Sequence, residues 1–411
     1  MANSSADLTA ILRLAHARSV GPVTFRKLVR VFGSAEAALA APRERLLEVP
    51  DLNQRVVDGL AEARRDPWAE EELARVKERG VKLLALSDPL YPRALISTYD
   101  PPAVLYVDGE FLPEDALAIA IVGSRNCSHY GRSQAEKLAA GLASAGFTIV
   151  SGLARGIDSA AHAGALSVDR GRTIAVLGNG IGTVYPPENK NLYERIVAAG
   201  KGHGAAISEL PLGTPPAAEH FPGRNRIIAG MTLGTIVVEG TETSGALITA
   251  RYAVDMDREV FAVPGSIESP NSRGPHSLIK KGAKLVEDVE DVLQELREIA
   301  EPLVKIRPPD PRLRLPKKDP RSGVQAVEPG LNLFDAAGKD DKRPLATDLR
   351  ALNLNPREKL LYDMLDQNTP RAVDELIVQS KLKPQEVLGT LVVLEVRRLC
   401  RQLPGKRYVK A

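Results

Sequence analysis

A chain of 411 residues, 44% of them hydrophobic, is long enough for two or three folded domains and too apolar to be disordered throughout. No apolar run reaches the roughly 18 residues that cross a bilayer, and Met1–Asp7 lacks the basic and apolar regions of a secretory signal, so we expect a cytoplasmic protein. The sequence has two cysteines, Cys127 and Cys400, far apart and in unrelated contexts, so we expect no disulfide framework. The net charge of +3 restricts any nucleic-acid contact to a local basic patch.

Residues 1–80 are predicted to form a small helical domain of the SAM or helix-hairpin-helix type. Apolar residues recur at helical spacing over 8–14 and 28–32, and the segment Val20–Thr24, with its Gly-Pro pair, lies between them. Backbone amides in such a turn can hold a phosphate. The alternative interpretation is a compact helical bundle whose turn only requires glycine and proline.

Short apolar strands alternate with amphipathic helices over residues 81–300. This alternation predicts a doubly wound, mostly parallel α/β sheet of the extended Rossmann-like type, covered by helices on both faces. The predicted strands are Val81–Ala85, Ala118–Val122, Thr148–Val150, Thr173–Leu177, Ala205–Ile207, Thr235–Val238 and Val260–Val263. The predicted helices are Arg132–Ala145, Ile157–Leu166, Lys190–Ala199, Arg224–Met231 and Gly245–Met256.

A linker and a C-terminal domain follow the sheet. Eight prolines within 302–344 predict a linker over residues 301–350. Residues 351–411 are predicted to form a winged helix, whose elements are Pro356–Asp366, Val373–Ser380, Pro384–Val396, Leu399–Gln402 and Arg407–Val409. The third of these helices carries no cation, although a helix that reads a major groove usually presents basic side chains. We therefore expect this domain to contact phosphates through its wing, or to bind a protein.

Small and basic residues follow the predicted strands, at the sheet edge where such folds bind their ligands. Gly123 allows close backbone approach, Ser124 offers a hydroxyl and Arg125 a fork-shaped cation, a set that suits a phosphate at a helix N-terminus. After the next strand, Asp158 is interpreted as a helix cap and His162 as a packing residue.

A further cluster lies at the start of the fourth helix. Arg224 and Arg226 flank Asn225 as two phosphate clamps around a base-edge reader, and Phe221 either stacks on a base or wedges the loop. The complete set of candidate anion-binding residues is Gly123, Ser124, Arg125, Gly152, Arg155, Lys190, Phe221, Arg224, Asn225, Arg226, Ser244 and Arg251.

Several of these motifs together resemble the DprA/Smf family of DNA-processing proteins, which act in natural transformation. The resemblance covers roughly residues 80–300, through the sequences VGSR at 122–125, SGLARGID at 151–158, YPP at 185–187, FPGRNRII at 221–228 and VPG at 263–265. It implies a cytoplasmic homodimer that binds and protects single-stranded DNA in a basic pocket formed by the candidate residues. It also implies loading of the RecA recombinase onto that DNA and displacement of single-strand binding protein.

A rival function is a nucleotide-processing hydrolase, because the central loops are also similar to the LOG family of phosphoribohydrolases. Those enzymes carry a P-G-G-x-G-T loop followed by an acid. Here Ala229–Thr235 lacks the paired glycines, and Glu209, Glu239 and Glu242 belong to no recognisable catalytic pair.

The nucleotide and metal signatures are also missing from the sequence. It contains no G-x-x-x-x-G-K-[ST] loop and no histidine pair at metal spacing, so we expect no cofactor, no metal and no catalytic residue. A third possibility is a regulator that binds duplex DNA through residues 351–411. Paired bases would have to open before entering a narrow pocket, so we expect single strands to bind better than duplex.

Overall fold

The computed structural model describes residues 5–198 and 203–304, and parts of the C-terminal segment over 356–366, 371–380, 400–403 and 407–410 with positions 382, 387, 390 and 391. The chain divides into two compact units, residues 1–334 and 335–411. Within the described ranges, no helix combines the length and apolar content that a bilayer-spanning helix needs. Apart from residues 301–304, the predicted linker lies outside the described residues.

Six helices form the N-terminal part of the first unit: α1 (Ser5–His16), α2 (Pro22–Phe32), α3 (Ala35–Ala40), α4 (Arg43–Leu47), α5 (Gln54–Ala63) and α6 (Trp68–Glu78). Gly21 caps α2 and Pro22 occupies its first turn, where the missing proline N–H costs nothing. A Cβ atom on Gly59 of α5 would overlap the carbonyl oxygen of Arg18, so α5 packs directly against the α1–α2 turn. The Gly-Pro segment therefore forms a helical hairpin turn, as predicted.

A nine-stranded sheet occupies the centre of the first unit. Its strands are β1 (Lys82–Ala85), β2 (Val104–Gly109), β3 (Ala118–Val122), β4 (Thr148–Ser151), β5 (Arg172–Val176), β6 (Gly204–Ser208), β7 (Gly234–Val237), β8 (Glu259–Ala262) and β9 (Lys284–Leu285). They lie in the order β1-β2-β6-β5-β4-β3-β7-β8-β9, and all neighbours are parallel except β1 with β2 and β2 with β6. The mostly parallel, doubly wound sheet is confirmed.

Helices cover both faces of this sheet. They are α7 (Arg93–Ile96), α8 (His129–Ser144), α9 (Ile157–Ala165), α10 (Lys190–Val197), α11 (His220–Gly230), α12 (Gly245–Asp255), α13 (Arg273–Lys280) and α14 (Val289–Val304). Alternate residues of β3 enter different cores: Ala120 packs with Ile228 of α11, while Ile121 packs with Leu138 of α8. This is the period-two alternation of a strand buried on both sides.

The strand order reverses between β3 and β7. From β3 the chain moves outward through β4, β5 and β6, whereas β7, β8 and β9 lie on the other side of β3. Connections leaving β3 and β7 therefore diverge, and a crevice opens beyond their carboxyl ends. In open α/β sheets this crevice is where ligands bind.

The second unit contains α15 (Pro356–Met364), α16 (Val373–Ser380) and a three-stranded sheet of β10 (Arg371–Ala372), β11 (Cys400–Leu403) and β12 (Arg407–Lys410). The strand order is β10-β12-β11, and both pairings are antiparallel. Leu361, Leu376, Cys400 and Tyr408 share one buried core. Most of the predicted third helix, Pro384–Val396, and the predicted hairpin turn lie outside the described residues.

Candidate nucleic-acid interface

A cavity of about 580 Å³ opens at the carboxyl ends of β3 and β7, where the strand order reverses. Its walls come from the loop after β3, the loop after β4, the first turns of α11 and the start of α12. The predicted residues that line it are Gly123, Ser124, Arg125, Phe221, Arg224, Asn225 and Ser244. Seven candidates from three separate sequence segments thus meet in one place.

Two arginines lie close to the ring of Phe221 on one wall of the cavity. The Cζ atom of Arg125 lies 5.2 Å from the ring centroid, and that of Arg224 lies 5.8 Å from it. Cations at such distances are attracted by the negative face of an aromatic ring. Tyr185 adds a second ring, 5.9 Å from that of Phe221. This wall therefore offers both cations for phosphate and aromatic surface for a base.

Two glycines leave the room that Arg224 and Phe221 occupy. A Cβ atom on Gly152, just after β4, would overlap the Arg224 guanidinium. A Cβ atom on Gly178, after β5, would lie 2.7 Å from Cδ1 of Phe221. Gly152, another predicted site residue, therefore lies behind Arg224, where it allows the guanidinium to approach the backbone.

The charge of Arg224 is almost completely removed from water. Arg224 is only 7% exposed, and its Nη1 donates a 2.5 Å hydrogen bond to the carbonyl oxygen of Val176. Burial lowers the pKa of Arg224 to about 10; Asp158 opposes this shift, and the like charge of Arg125 adds to it. The guanidinium stays charged at neutral pH, yet its Nε finds no hydrogen-bond partner within the described part of the chain.

Asp158 is the acidic counterpart of Arg224 in the cavity wall. Its Oδ2 accepts a 3.1 Å hydrogen bond from the Gly152 N–H. Burial raises the pKa of this carboxyl, while Arg224 and hydrogen bonds from neighbouring groups oppose the rise. Among the residues that line the cavity, Asp158 is the one carboxylate. His162 is fully buried against Thr173 and Leu153, in the packing role expected from the sequence.

Arg125, unlike Arg224, is exposed. In the described ranges, no carboxylate lies within ion-pair distance of its guanidinium. Ser124 uses its hydroxyl to accept a 3.2 Å hydrogen bond from the Asn126 N–H, which shapes the loop that carries Arg125. The guanidinium of Arg125 is therefore available to an anion that enters the cavity.

The N-terminus of α8, where the sequence placed a phosphate, is occupied by a side chain of the protein. Glu239, directly after β7, accepts hydrogen bonds from the Ser128 N–H at 2.8 Å and the Ser128 hydroxyl at 2.5 Å. Ser128 in turn accepts from the Gly131 N–H at 3.0 Å, as the cap of α8. A buried carboxylate thus already lies at this helix end, and the phosphate position expected there stays a prediction.

Three predicted cations lie outside the cavity lining. Arg155 forms a short ion pair with Glu188, and Lys190 lies 3.9 Å from Glu194 one helical turn later. Both cations are exposed, as is Arg251 on α12. These three residues therefore do not contribute to the wall of the cavity.

Arg226 is engaged within the protein. Its Nη2 donates to both carboxylate oxygens of Glu209 at 2.6 Å, and its Nη1 donates to the carbonyl oxygen of Asp100 at 2.7 Å. The residue is 7% exposed and does not line the cavity. Its donors hold α11 against the loop after β6, so Arg226 positions this helix, and we do not propose it as a phosphate ligand.

Tyr185 belongs to the Tyr-Pro-Pro motif but is not among the candidate residues predicted from the sequence. Tyr185 and Asn126 both line the cavity. The sequence could have predicted Tyr185, because this aromatic residue lies between a glycine-rich loop that follows a strand and two prolines that restrict the backbone. Asn126 follows Arg125 directly, and its residue type alone carried no signal.

No catalytic or metal-binding cluster accompanies this cavity in the described parts of the chain. Glu239 caps α8, Glu209 is paired with Arg226, and Glu242 is exposed outside the cavity lining. The described residues contain no group of three or more His, Cys, Asp or Glu side chains that could hold a metal ion.

Comparison with known protein families gives matches along the chain. The family described as DNA recombination-mediator protein A matches residues 82–297, more than half of the 411 residues. The chain belongs to the DprA/Smf family. A DprA-like N-terminal HHH domain matches residues 5–73, and the DprA winged helix domain matches residues 346–406. The Rossmann-like sheet is therefore flanked by the family's two accessory domains, while the domain boundaries at 80, 300 and 350 stay predictions.

Individual relatives agree with this assignment. Protein Smf of Synechocystis sp. is 34% identical over 418 residues, which cover 99% of each chain. DNA processing protein DprA of Bacillus subtilis is 44% identical, over 55% of this chain and 75% of that one. The X-ray structure of DprA from Streptococcus pneumoniae matches with a TM-score of 0.61 and 35% identity, over 70% of this chain and 97% of that one. Two of these three relatives are named as DNA processing proteins.

Proposed function

We propose that this protein binds single-stranded DNA in the cavity at the carboxyl ends of β3 and β7. The observation that carries the proposal is the pair of arginines over Phe221. Arg224 is buried and charged with an unpaired Nε, and Arg125 beside it has no acidic partner in the described ranges. Two neighbouring cations without enough acceptors favour an anionic ligand, since a buried unpaired donor costs about 1–3 kcal/mol.

A nucleic-acid strand supplies what this wall lacks. Its phosphates would accept hydrogen bonds from the guanidinium groups, and arginine forks match the geometry of phosphate oxygens. Its bases have π faces, and each base stacked on an aromatic ring contributes about 1–3 kcal/mol. Phe221 and Tyr185 are both half-buried, with ring surface at the cavity. A single strand can place its backbone and a base here together, whereas duplex bases must first be unpaired.

We further propose that the bound strand is protected and passed to the RecA recombinase during transformation, with displacement of single-strand binding protein. Support comes from membership of a family described as a DNA recombination mediator. A homodimer through the Rossmann-like domain, in the cytoplasm, is the form we expect to act. We assign strand binding to the cavity, and we expect RecA to contact another surface of the same domain.

We propose binding without catalysis. Asp158 is held by the Gly152 N–H and faces Arg224, so it is placed to balance charge rather than to activate water. Hydrolysis would require a second acid or base within reach of the reacting atom. The rival hydrolase makes one clear prediction, which is release of free base from nucleoside monophosphates.

The test is fluorescence anisotropy with a labelled oligothymidine over a range of salt concentrations. Arg125→Ala and Arg224→Ala should each weaken binding and reduce the slope of log affinity against log salt by about 0.7, the value for one phosphate on a single strand. Arg224→Lys, which keeps a charge, separates loss of contact from loss of folding. Arg45→Ala removes an exposed charge that is paired with Glu48 on α4 and should change nothing. Wild-type affinity in both alanine variants would overturn the site.

A further inference from the structure

Arg79, at the C-terminal end of α6, contacts a loop that continues to the cavity. Arg79 caps the C-terminus of α6, and a Cβ atom on Gly182 would overlap its Nη1. Gly182 also has φ of +104°, which favours glycine independently. The Arg79 guanidinium therefore rests directly on the backbone of residues 178–185, which we call the Tyr185 loop.

The Tyr185 loop joins this guanidinium to the cavity. Tyr185 follows Gly182 by three positions, which span at most roughly 10 Å of chain. Tyr185 itself lines the cavity beside Phe221. Stacked nucleotides rise about 3.4 Å each, so a strand only a few nucleotides longer than the cavity reaches Arg79.

Hydrogen bonds fix α6 relative to the cavity walls. The Gly180 N–H of the Tyr185 loop donates to the Thr214 carbonyl at 2.9 Å, which joins this loop to the segment that continues into the Pro216–Ala218 wall. The Leu212 N–H of that segment donates at 2.8 Å to Glu72, a fully buried carboxylate of α6. Since α6 is bonded to the same segment, Arg79 has a defined position relative to the cavity.

Arg79 is exposed, and no carboxylate of the described residues forms an ion pair with it. Its neighbour on the helix, Arg75, is instead paired with the buried Glu72. One turn of α6 thus carries one arginine that anchors the helix and one whose charge is uncompensated. The uncompensated one lies against Gly182 of the Tyr185 loop.

We infer that Arg79 binds a backbone phosphate of the single strand after it leaves the cavity, so that the N-terminal helical part forms a section of the DNA interface. This inference rests on the proposed function of the cavity. It gives the α1–α6 part a role in strand binding through one defined cation rather than through its helical hairpin turn.

The test measures affinity for labelled oligothymidines from about 3 to about 20 nucleotides in length, which brackets the roughly 4–16 nucleotides that single-strand binding folds cover. Arg79→Ala should leave the shortest oligonucleotides at wild-type affinity and weaken the longer ones about threefold to tenfold. Its salt slope for the longer ones should fall by about 0.7. Arg79→Lys should restore most of the affinity, and Arg45→Ala, from the same helical part, should match wild type at every length. Thermal melting checks that all variants are folded.

The possible failures are distinguishable. Equal affinity of wild type and Arg79→Ala at all lengths would overturn the Arg79 contact and leave the cavity as the binding site. Equal weakening at all lengths would also overturn it, because Arg79 would then act on the cavity through the Tyr185 loop. Absence of binding by the wild type at every length would overturn the proposed function itself.

Discussion

Substitution of Gly152 by alanine tests whether close backbone approach is what keeps Arg224 in the cavity wall. Gly152 is absent from the residues with positive φ, so alanine suits its backbone conformation. The obstacle is the Arg224 guanidinium, which the new methyl group would overlap. The Arg224 guanidinium must then move away from the Val176 carbonyl, which changes its position relative to the ring of Phe221.

The size of the effect follows from two contributions. Overpacking a well-filled site costs about 1–3 kcal/mol. Loss of the charge-assisted bond to Val176 from a buried guanidinium costs about 1.5–3 kcal/mol more. We therefore expect Gly152→Ala to lower the free energy of unfolding by about 2.5–6 kcal/mol. Each kcal/mol lowers the melting temperature by roughly 2–4 °C in a domain of this size.

Thermal denaturation followed by circular dichroism measures the stability change, and oligothymidine binding measures the effect on the site. Gly223→Ala is the matched control, because Gly223 lies next to Arg224 in α11 and its Cβ would meet nothing within 4 Å. A helical Gly→Ala change stabilises by about 0.5–1 kcal/mol. If Gly152→Ala melted with the wild type and bound DNA equally well, the packing argument for Arg224 would be refuted.

Two electrostatic predictions concern the rim and the wall of the cavity. Glu188→Gln frees Arg155 from its ion pair, so oligothymidine affinity should rise about twofold to threefold at low salt and return to wild type at high salt, because exposed pairs are worth about 0–1 kcal/mol. Burial raises the pKa of Asp158 above its ordinary 3.8. Protonation removes a negative charge beside Arg224, so affinity should increase as pH falls through this raised pKa. The Asp158→Asn variant should lack this rise in affinity at low pH. The same pH profile in the variant and the wild type would show that Asp158 is not the group that titrates.

The sequence predicted seven of the nine strands of the sheet and missed β2 and β9. Strands such as Ala118–Val122 are continuous apolar runs because helices cover both of their faces. The strand Val104–Gly109 was missed, although its first four residues are apolar and buried, because it pairs antiparallel and lacks a preceding crossover helix of the expected length. The strand Lys284–Leu285 is two exposed residues at the sheet edge and has no apolar pattern to find.

The candidate site was predicted as a set of loops, and its interior geometry required coordinates. Arg224 and Arg226 are equivalent in the motif, but residues two apart on a helix point to different sides. One therefore enters the cavity and the other meets Glu209, which is distant in sequence. The pairing of Lys190 with Glu194 has ordinary i, i+4 spacing and was readable from the sequence. The capping of α8 by Glu239 joins residues 111 positions apart and was not.

Ultraviolet crosslinking of unmodified oligothymidine to the full-length protein, followed by mapping of the attached peptides, tests the central proposal most directly. The proposed binding mode predicts crosslinks at Tyr185 and Phe221, whose ring centroids lie 5.9 Å apart at the cavity. Both crosslinks should disappear in Arg125→Ala at moderate salt, because the strand would lose its phosphate contact with Arg125. Crosslinks confined to residues 351–411, with neither ring modified, would contradict strand binding in this cavity.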